Sequence, residues 1–477
     1  MAYSTPPPLC VDLDGTLIKT DLLIESFFLL LKTHPLVVLL VPFWLLCGKA
    51  RLKQELARRV ELDVATLPYH PAFLTWLCEQ HARGRYLVLA TSAAETFARQ
   101  VADHLGIFSQ VTATTDDANL SGQRKAERLC QCFGERGFDY AGNGRVDVAV
   151  WAHAHQAILV NPAHRVRDQA AQVTGIAAEF DDRQGKTLKP WFKALRLHQW
   201  LKNVLVFIPL LAAHRVHEPA LLLQAALAYL TFGLCASSVY LLNDLLDLPI
   251  DREHPRKRLR PFAAGTLPVL AGALAVPALL ILAFLLAGIA LPPLFAGILL
   301  SYFVLTLTYS LFLKQIAMLD TVALAALYTL RIIAGAAATA IVPTFWLLAF
   351  SMFIFLSLAL VKRHTELLAM QDMGQNAARG RGYQVGDLQL LQALGSASGY
   401  SSVLVLALYI NNGANPALYR HPEVIWLLCP LLLYWISRVW LKTHRGDMHD
   451  DPVIFAIQDR VSQMLIGISA VIVWLAL

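Results

Sequence analysis

Long apolar runs dominate the second part of the chain, whereas the first part mixes apolar and polar positions as a soluble domain does. Nine apolar runs follow one another after residue 200, and most approach the ~20 residues that a helix needs to cross a bilayer. They are residues 203–217, 219–243, 266–290, 292–312, 316–340, 343–361, 393–411, 423–441 and 454–476. The pattern predicts an all-α polytopic membrane domain of about nine transmembrane helices over residues 191–477, the first helix being the shortest.

Residues 1–180 have an ordinary charge density and predict a soluble domain, which a polar linker over residues 181–190 joins to the membrane domain. Within the soluble domain, residues 22–60 form an apolar and basic helical insertion. Its two apolar runs are too short to span a bilayer. The insertion is therefore either packed on the soluble core or dips as a hairpin into the membrane surface, where its basic helix over residues 49–59 would meet anionic headgroups.

Composition supports this division. Hydrophobic residues make up 56% of the chain and charged residues 16%, against about 45–50% and about 25% in soluble proteins. These values exclude a disordered chain and a basic nucleic-acid-binding protein. Lys and Arg gather in the loops after the second, sixth and eighth predicted helices, so the positive-inside rule places these loops and the N-terminal domain in the cytoplasm. We expect a multi-pass protein of a bacterial-type inner (plasma) membrane, in contact with membrane lipids.

Two carboxylates offer the first candidate chemistry. Asp12 and Asp14 stand one residue apart, directly after a short apolar strand and before a Gly-Thr turn. The alternation of side chains at a strand end directs both toward one cleft. There one carboxylate can attack phosphorus while the other holds a proton for the leaving oxygen. A magnesium ion would offset their mutual repulsion.

The segment Asp12-Leu13-Asp14-Gly15-Thr16 resembles the opening motif, DxDGT, of the haloacid dehalogenase (HAD) phosphatase superfamily. Later motifs follow in order. A strand ends at Thr91, where the family places a phosphate-binding hydroxyl, and Lys125 fits the family's phosphate-neutralising lysine. The run from Gly142 to Asp147 resembles the final magnesium motif, GDxxxD. The resemblance covers about residues 8–165.

This resemblance implies an α/β Rossmann-like fold in which Asp12 and Asp14 are catalytic. It also implies a Mg²⁺ site built from Asp12, Asp14, Asn143 and Asp147. Asn143 stands where the family more often has Asp. An Asn offers a carbonyl ligand without a charge, so the alternative of a degenerate, regulatory domain stays open.

The strongest signal is Asn243-Asp244-Leu245-Leu246-Asp247-Leu248-Pro249-Ile250-Asp251, at the end of the second predicted helix. Spacings of three and four residues place the three carboxylates on one face of a helix. Carboxylates at a membrane interface are costly unless they are neutralised, and Mg²⁺ that bridges them to a diphosphate would neutralise them. A basic run follows at once and can stabilise a departing diphosphate; it consists of Arg252, Arg256, Lys257, Arg258 and Arg260.

This segment resembles the first motif of the UbiA-type intramembrane prenyltransferase superfamily, and the resemblance covers about residues 190–477. It implies nine transmembrane helices around a cavity, with Asp244, Asp247 and Asp251 as catalytic magnesium ligands near the cytoplasmic side. Prenyltransferases that act on aromatic acceptors usually carry a second pair that resembles DxxxD. Here Leu324 stands four residues after Asp320, so the second carboxylate is absent.

The second part of the chain is instead similar to the decaprenyl-phosphate phosphoribosyltransferase branch, which transfers phosphoribose from phosphoribosyl pyrophosphate (PRPP) to a polyprenyl phosphate. PRPP and its acceptor carry more anionic groups than an allylic diphosphate does, so such a site needs extra cations. The candidate substrate-binding residues of this part are Asn243, Lys257, Arg258, Arg260, Tyr309, Lys314, Arg331, Lys362 and Arg363.

The two resemblances together imply Mg²⁺-dependent transfer of 5-phosphoribose from PRPP to a decaprenyl-like phosphate, in arabinofuranose and cell-wall precursor synthesis. The fused HAD domain would then remove the 5-phosphate from the lipid product. One alternative is a prenyltransferase that joins a polyprenyl diphosphate to an aromatic or other acceptor, with a regulatory or separate phosphatase. Another is a non-enzymatic membrane scaffold. The sequence leaves open the lipid length and the oligomeric state, a homo-oligomer included.

Overall fold

The computed structural model describes residues 6–115, 119–182, 188–374, 382–411, 419–448 and 451–477. The chain divides into two compact units. The first joins Met1–Leu195 to Tyr240–Val276, and the second joins Arg196–Val239 to Pro277–Leu477. The aspartate segment and its basic loop therefore belong, by their contacts, to the same unit as the N-terminal residues. The predicted boundaries at residues 180 and 190 stay a prediction, and residues 183–187 of the predicted linker lie outside the described part.

A parallel sheet forms the centre of the N-terminal part. Its six strands lie in the order β3-β2-β1-β4-β5-β6, and each neighbouring pair is parallel. The strands are β1 (Leu9–Val11), β2 (Leu87–Ala94), β3 (Gln110–Thr114), β4 (Asp139–Gly142), β5 (Gln156–Val160) and β6 (Gly175–Phe180). The predicted α/β architecture is thus present as a parallel sheet with helical crossovers.

Helices make up most of the remaining described chain. In chain order they are α1 (Leu22–Thr33), α2 (Val41–Leu46), α3 (Lys49–Ala57), α4 (Pro71–Ala82), α5 (Glu95–Leu105), α6 (Gln123–Phe133), α7 (Val148–Trp151), α8 (His164–Val173), α9 (Lys189–Leu195), α10 (Ile208–Ala212), α11 (Pro219–Leu246), α12 (Leu248–Glu253), α13 (Val269–Ala290), α14 (Pro293–Leu311), α15 (Leu319–Thr339), α16 (Phe345–Asp372), α17 (Leu388–Asn411), α18 (Leu428–His444), α19 (Pro452–Gln458) and α20 (Arg460–Ala476). Short 3₁₀ helices cover Val37–Leu40, Val64–Thr66, Arg145–Asp147, Leu197–Phe207, Lys257–Leu259, Leu313–Gln315, Val385–Asp387 and Pro422–Leu427.

Both faces of the sheet are buried, which is why its central strands are apolar at successive positions. Leu9 and Val11 of β1 belong to one core, together with buried side chains of α1, α3, α4 and α5. Cys10, between them, belongs to the opposite core, with buried side chains of α6, α7 and α8. The alternation of side chains along a strand produces this division.

The insertion over residues 22–60 combines features of both sequence-based alternatives. Helices α1 and α3 pack on the first core through residues such as Leu30 and Leu56. The segment between them instead exposes large apolar side chains, among them Leu36 at 80% and Leu46 at 87% exposure. Contiguous exposed apolar side chains of this kind mark an interaction surface. The insertion is therefore anchored to the sheet domain and presents an apolar tip.

Seven helical segments of the described residues are long and apolar enough to cross a membrane, and an eighth is added if a bent pair counts as one span. The seven are α11, α13, α14, α15, α16, the segment Val385–Asn411 that contains α17, and the segment Pro422–His444 that contains α18. The bent pair is α19 and α20, which meet at 72°. The predicted number of nine is not confirmed.

The two differences from the predicted helices have local causes. The first apolar run is divided between the 3₁₀ helix Leu197–Phe207 and the short α10, and the combined segment ends at Ala212, too short to be counted as a span. The last run is interrupted at Asp459. The carboxylate of Asp459 accepts hydrogen bonds from the backbone N–H of Ser462 and from Arg438, so it caps α20 and starts a new helix direction.

Close helix packing in the second unit depends on a small residue. Gly335 lies in α15 and is buried. A Cβ atom at this position would overlap the backbone carbonyl of Val206, in the 3₁₀ segment that precedes α10. Glycine therefore lets the two backbones approach, as small residues do at helix interfaces in membranes.

We predict that Gly335→Val destabilises the protein by about 2 kcal/mol or more, because the clash is with backbone atoms that cannot rotate away. Gly288→Val is the matched control, since a Cβ at Gly288 in α13 meets no atom within 4 Å. Thermal unfolding of both purified variants in the same detergent checks this. Equal melting temperatures for the two variants would contradict the proposed packing role.

Candidate functional sites

The carboxyl edge of the parallel sheet holds the predicted phosphatase residues. Asp12 follows β1 directly, and its backbone N–H donates to the carbonyl of Ala141 in the neighbouring β4. Asn143 follows β4, and Asp147 lies one turn later. Because the carboxyl ends of neighbouring parallel strands meet at one edge, residues far apart in sequence come together there.

A hydrogen-bonded chain connects Asp12 to Asp147. The ammonium of buried Lys125 donates to Asp12 Oδ1 at 2.9 Å and to the hydroxyl of Tyr140 at 2.8 Å. Tyr140 in turn donates to Asp147 Oδ1 at 2.9 Å. Asp147 Oδ2 accepts from the backbone N–H groups of Asn143 and Gly144. Tyr140, which is not among the predicted site residues, therefore orients two of them, Lys125 and Asp147.

Asn143 lies against the aspartate loop. Gly15 has a φ of +74°, and a Cβ atom there would overlap the side-chain amide of Asn143. Glycine is required at this position both for the left-handed backbone and for the close approach. The structure thus brings Asn143 to the loop that carries Asp12 and Asp14, as the motif order predicts.

Burial governs the acidity of the two carboxyls. It raises the pKa of Asp12 to about 6, although the Lys125 ammonium opposes this shift. Burial, reinforced by the charge of Asp21, raises the pKa of Asp14 well above its usual range. Burial also opposes the charge of Lys125, but Asp12 and Asp147 outweigh it and raise the pKa of that ammonium. Burial thus disfavours the ionised form of both carboxyls. Their oxygen atoms are ligands of the kind that Mg²⁺ prefers.

A small cavity of about 230 Å³ opens beside Asp14. It is lined by Ser92 rather than by Thr91, whose fully buried hydroxyl accepts a hydrogen bond from the backbone N–H of Ala93. Lys53 of α3 also lines the cavity, and its ammonium donates to the Ser92 carbonyl and to Asn119 Oδ1. The predicted basic helix therefore directs one of its cations to this site, which no sequence spacing indicated.

The distances between potential metal-ligand atoms differ between the predicted aspartate sites and one other cluster. Among the described residues, only Cys130, Glu135 and His153 place three Cys, His, Asp or Glu ligand atoms within 4.8 Å of one another. The oxygens of the predicted aspartate sets are spread more widely than that. The carboxylate oxygens of both sets are nevertheless ligands of the kind that Mg²⁺ prefers.

The aspartate segment adopts a helix that is broken once. Helix α11 ends at Leu246, with Asn243 and Asp244 in its last turn, and Asp247 precedes α12. Arg260 Nη1 donates to Asp244 Oδ1 at 3.2 Å and to Asp251 Oδ2 at 2.5 Å. One guanidinium thus links the first and third carboxylates, so these two side chains lie on one side of the segment.

The remaining cations of the basic loop have different surroundings. Arg252 forms a buried ion pair with Glu25 of α1. The charge of Lys257 acts on Asp251, whereas Arg258 is exposed. Burial raises the pKa of Asp251, and Arg260 and Lys257 oppose this shift. Arg260 is therefore a loop cation that forms hydrogen bonds with two of the aspartates.

Arg331 is the central cation of one polar cluster in the second unit. It is 5% exposed, and its Nε donates to Asn203 Oδ1 at 3.0 Å. Nη2 donates to the hydroxyl of Tyr302 at 3.1 Å, and the guanidinium lies 5.0 Å from the centre of that ring. The side-chain nitrogen of buried Asn203 has no hydrogen-bond partner among the described residues. A buried unpaired donor beside a buried cation suits an anionic oxygen.

Asp320 belongs to a second cluster, and its carboxylate is fully buried. One oxygen accepts from Arg363 Nε and the other from the hydroxyl of Tyr383. Arg363, which is 1% exposed, also donates to the hydroxyl of Tyr309 at 3.0 Å and pairs with Glu366. Arg363 thus contacts both Tyr309 and the carboxylate of Asp320, which holds the guanidinium in place.

Two further predicted cations lie in this unit. Lys362 of α16 interacts electrostatically with Lys202 and Asp451, and Lys202 forms an ion pair with Asp451. Lys314 lies half-buried in the 3₁₀ helix Leu313–Gln315. Lys202 and Asn203 are not among the predicted site residues, and only the structure shows that they contact Asp451 and Arg331.

Comparisons with known proteins identify a family and relatives of this chain. Residues 204–461 match the UbiA prenyltransferase family. A solved UbiA homologue from Archaeoglobus fulgidus, bound to DMAPP and Mg²⁺, is 15% identical; the match covers 60% of this chain and 99% of that chain with a TM-score of 0.46. The family match and the apolar helices indicate a multi-pass membrane protein.

The matches to three relatives each cover most of the relative's length. The uncharacterized protein y4nM of Sinorhizobium fredii is 35% identical over 95% of this chain and 88% of that protein. The nodulation protein NoeC of Azorhizobium caulinodans is 38% identical over 59% of this chain and 92% of its own length. A decaprenyl-phosphate phosphoribosyltransferase of Mycolicibacterium smegmatis is 31% identical over 57% of this chain and 87% of its own length.

We predict that Asp320→Ala lowers the free energy of unfolding by about 3 kcal/mol, because it leaves the buried Arg363 without its carboxylate partner. Asp372→Ala, at the exposed end of α16, is the control and should change stability little. Thermal unfolding and a magnesium titration of activity, run on both variants, separate a structural role from a metal-binding one. A stable Asp320→Ala protein that needs much more Mg²⁺ would contradict the structural role.

Proposed function

Because this chain belongs to the UbiA prenyltransferase family, a family of membrane transferases, we propose that it transfers 5-phosphoribose from PRPP to a polyprenyl phosphate. The observation that supports PRPP as the donor is the burial and hydrogen bonding of the Asp320 carboxylate. Both of its oxygens are held by Arg363 and Tyr383 in full burial. The chain therefore offers one aspartate segment for a magnesium diphosphate, rather than the two that an aromatic prenyltransferase usually carries.

The buried cations support the same choice. PRPP carries a diphosphate and a 5-phosphate, and the lipid acceptor adds a third anionic group. Arg331 and the amide nitrogen of Asn203, which has no hydrogen-bond partner among the described residues, are donors of the kind that bind phosphate oxygens. An ionisable residue inside an apolar helix usually has a functional role. Lys314, Lys362 and Arg363 are further candidates for contacts with these phosphates.

Asp244, Asp247 and Asp251 would hold magnesium, as their carboxylate oxygens fit that ion. When bound there, magnesium would offset the charge of the diphosphate and make it a better leaving group. The bond between ribose C1 and the diphosphate oxygen breaks, and its electron pair leaves with the diphosphate. An oxygen of the lipid phosphate supplies the pair for the new bond to C1. That oxygen is already anionic, so the step requires no general base. Lys257, Arg258 and Arg260 would stabilise the departing charge, beside Asn243.

Relatives add independent support. The name of the Mycolicibacterium smegmatis relative is decaprenyl-phosphate phosphoribosyltransferase, and the match covers 87% of its length. An activity of this kind would provide precursors of arabinofuranose for cell-wall polymers. By the positive-inside rule, the basic loops and the N-terminal domain would lie in the cytoplasm of a bacterial inner membrane.

We further propose that the N-terminal part is a HAD-type phosphatase that removes the 5-phosphate of the ribosyl lipid. Asp12 Oδ attacks the phosphorus, the ester oxygen leaves with a proton from Asp14, and water then releases phosphate from Asp12. Lys125 and Ser92 would bind the phosphoryl oxygens, Ser92 in place of the buried Thr91. Asn143 and Asp147, with Asp12 and Asp14, would hold the magnesium that shields the approaching negative charges. The connected chain Lys125-Tyr140-Asp147 supports a working site in spite of the uncharged Asn143.

Labelled donors decide between the two transferase reactions. We expect membranes that contain this protein to transfer label from PRPP, and not from a polyprenyl diphosphate, to lipid. Asp244→Ala combined with Asp247→Ala should reduce this transfer by about 100-fold or more, since both changes remove metal ligands. Asp372→Ala serves again as the control. Transfer from the prenyl diphosphate alone would refute the proposed donor. Full transfer without the aspartates would show that the predicted magnesium site is dispensable and that another enzyme of the membranes performs the reaction, as the scaffold alternative expects.

Product analysis tests the phosphatase. With PRPP and polyprenyl phosphate, the wild-type protein should accumulate dephosphorylated ribosyl lipid, whereas Asp12→Asn should stop at the 5-phosphate because it lacks the nucleophile. Asp103→Asn, an exposed position on α5, is the matched control. Chromatography of the labelled lipid with and without alkaline phosphatase identifies both products. Identical products from wild type and Asp12→Asn would rule out coupled dephosphorylation.

A further inference from the structure

Helix α1 of the N-terminal insertion contacts the aspartate segment directly, within the first compact unit. Lys32 lies in its last turn, and the Lys32 ammonium donates to Asp247 Oδ1 at 2.6 Å. Both side chains are about one-quarter exposed, at 24% and 26%. The contact joins residues 215 positions apart in sequence. Lys32 also lies outside residues 204–461, the part of the chain that matches the UbiA family.

A second ion pair fixes the same face of α1. Glu25 lies seven residues before Lys32, a spacing that places both on one side of a helix. The Glu25 carboxylate accepts from Arg252 Nη1 at 2.9 Å, and both side chains are nearly fully buried. Thr20 donates a further hydrogen bond to Glu25 at 2.5 Å. Because Arg252 directly follows Asp251, this pair holds α1 in a set register along the aspartate segment.

Apolar packing and the other end of α1 complete the arrangement. Leu23, Phe27 and Leu31 line a cavity of about 420 Å³ together with Leu242 and Leu270. At the first turn, the backbone N–H of Leu22 donates to Asp14 Oδ1 at 3.0 Å. One helix thus touches a predicted phosphatase carboxylate at its beginning and a predicted magnesium ligand of the transferase at its end.

We propose that Lys32 is a positioning residue of the transferase site, contributed by the N-terminal domain. Its ammonium orients the Asp247 carboxylate and adds positive charge where the magnesium diphosphate binds. Arg260 already serves Asp244 and Asp251, and Lys32 provides the corresponding cation for Asp247. This inference rests on the proposed function only in that the three aspartates bind a magnesium diphosphate.

The charge balance gives the physical reason. Three carboxylates close to a membrane repel one another and any incoming anion. A cation paired with the middle carboxylate lowers that repulsion, and it holds the side chain in one orientation before the substrate arrives. Loss of Lys32 should therefore weaken binding of the diphosphate more than it slows the bond-breaking step.

The test uses the full chain in lipid nanodiscs, with Lys32→Ala, Lys32→Glu and Lys32→Arg. We expect Lys32→Ala to raise the KM for PRPP and the Kd for magnesium pyrophosphate by about fivefold, the scale of a partly exposed ion pair, with kcat changed less than about twofold. Lys32→Glu should have a larger effect, and Lys32→Arg should recover most of the affinity. Lys189→Ala, an exposed lysine of the same unit, is the matched control and should leave both constants unchanged.

Melting temperature is measured for each variant, since a purely structural role would lower it together with kcat. Pyrophosphate binding by calorimetry separates this inference from the proposed donor. If the wild-type protein does not use PRPP while Lys32→Ala still weakens pyrophosphate binding, the proposed function fails and the role of Lys32 stands. If Lys32→Ala binds magnesium pyrophosphate as the wild type does, or more tightly, the inference is overturned whichever donor the enzyme uses.

Discussion

The cost of burying a carboxylate is the constraint on which the sites of this protein depend. Away from water, an ionised carboxylate is tolerated when a cation and hydrogen-bond donors surround it. Asp12 has Lys125, Asp244 and Asp251 share Arg260, Glu25 has Arg252, and Asp320 has Arg363. Each pair joins residues from different elements, so the same contacts that neutralise charge also fix how those elements meet.

This constraint separates carboxylates that can serve a reaction from those that hold the fold. Asp320 is surrounded by Arg363 and Tyr383 and is fully buried, which commits it to packing. Asp247, by contrast, is partly exposed and meets Lys32, a side chain at the end of a helix. Its partial exposure leaves Asp247 accessible to a metal and its anion, while Lys32 pairs with one oxygen of the carboxylate.

Much of the fold follows from the sequence, because the pattern of apolar and polar residues along a helix or strand reflects which side chains are buried. The apolar runs predict the long helices, and the pattern around Asp12 predicts a strand followed by a loop at a sheet edge. The predicted number of spans is not confirmed, since Asp459 caps a new helix and the segment over Leu197–Ala212 is too short by the same criterion. The site residues could be predicted less completely than the fold, as Lys53 shows. The sequence of a basic helix does not indicate which of its cations will contact the site.

The sequence by itself determined the chemistry that is available: the aspartates of both segments, the basic loop and the isolated arginine within an apolar helix. These are local facts, carried by residue type and spacing. Only the tertiary structure decided which charges meet. Lys32 and Asp247 are 215 positions apart, and Tyr140 is an ordinary strand residue until Lys125 and Asp147 lie on either side of it. The interaction energy of two charges depends on their distance in space, which their separation along the chain does not determine.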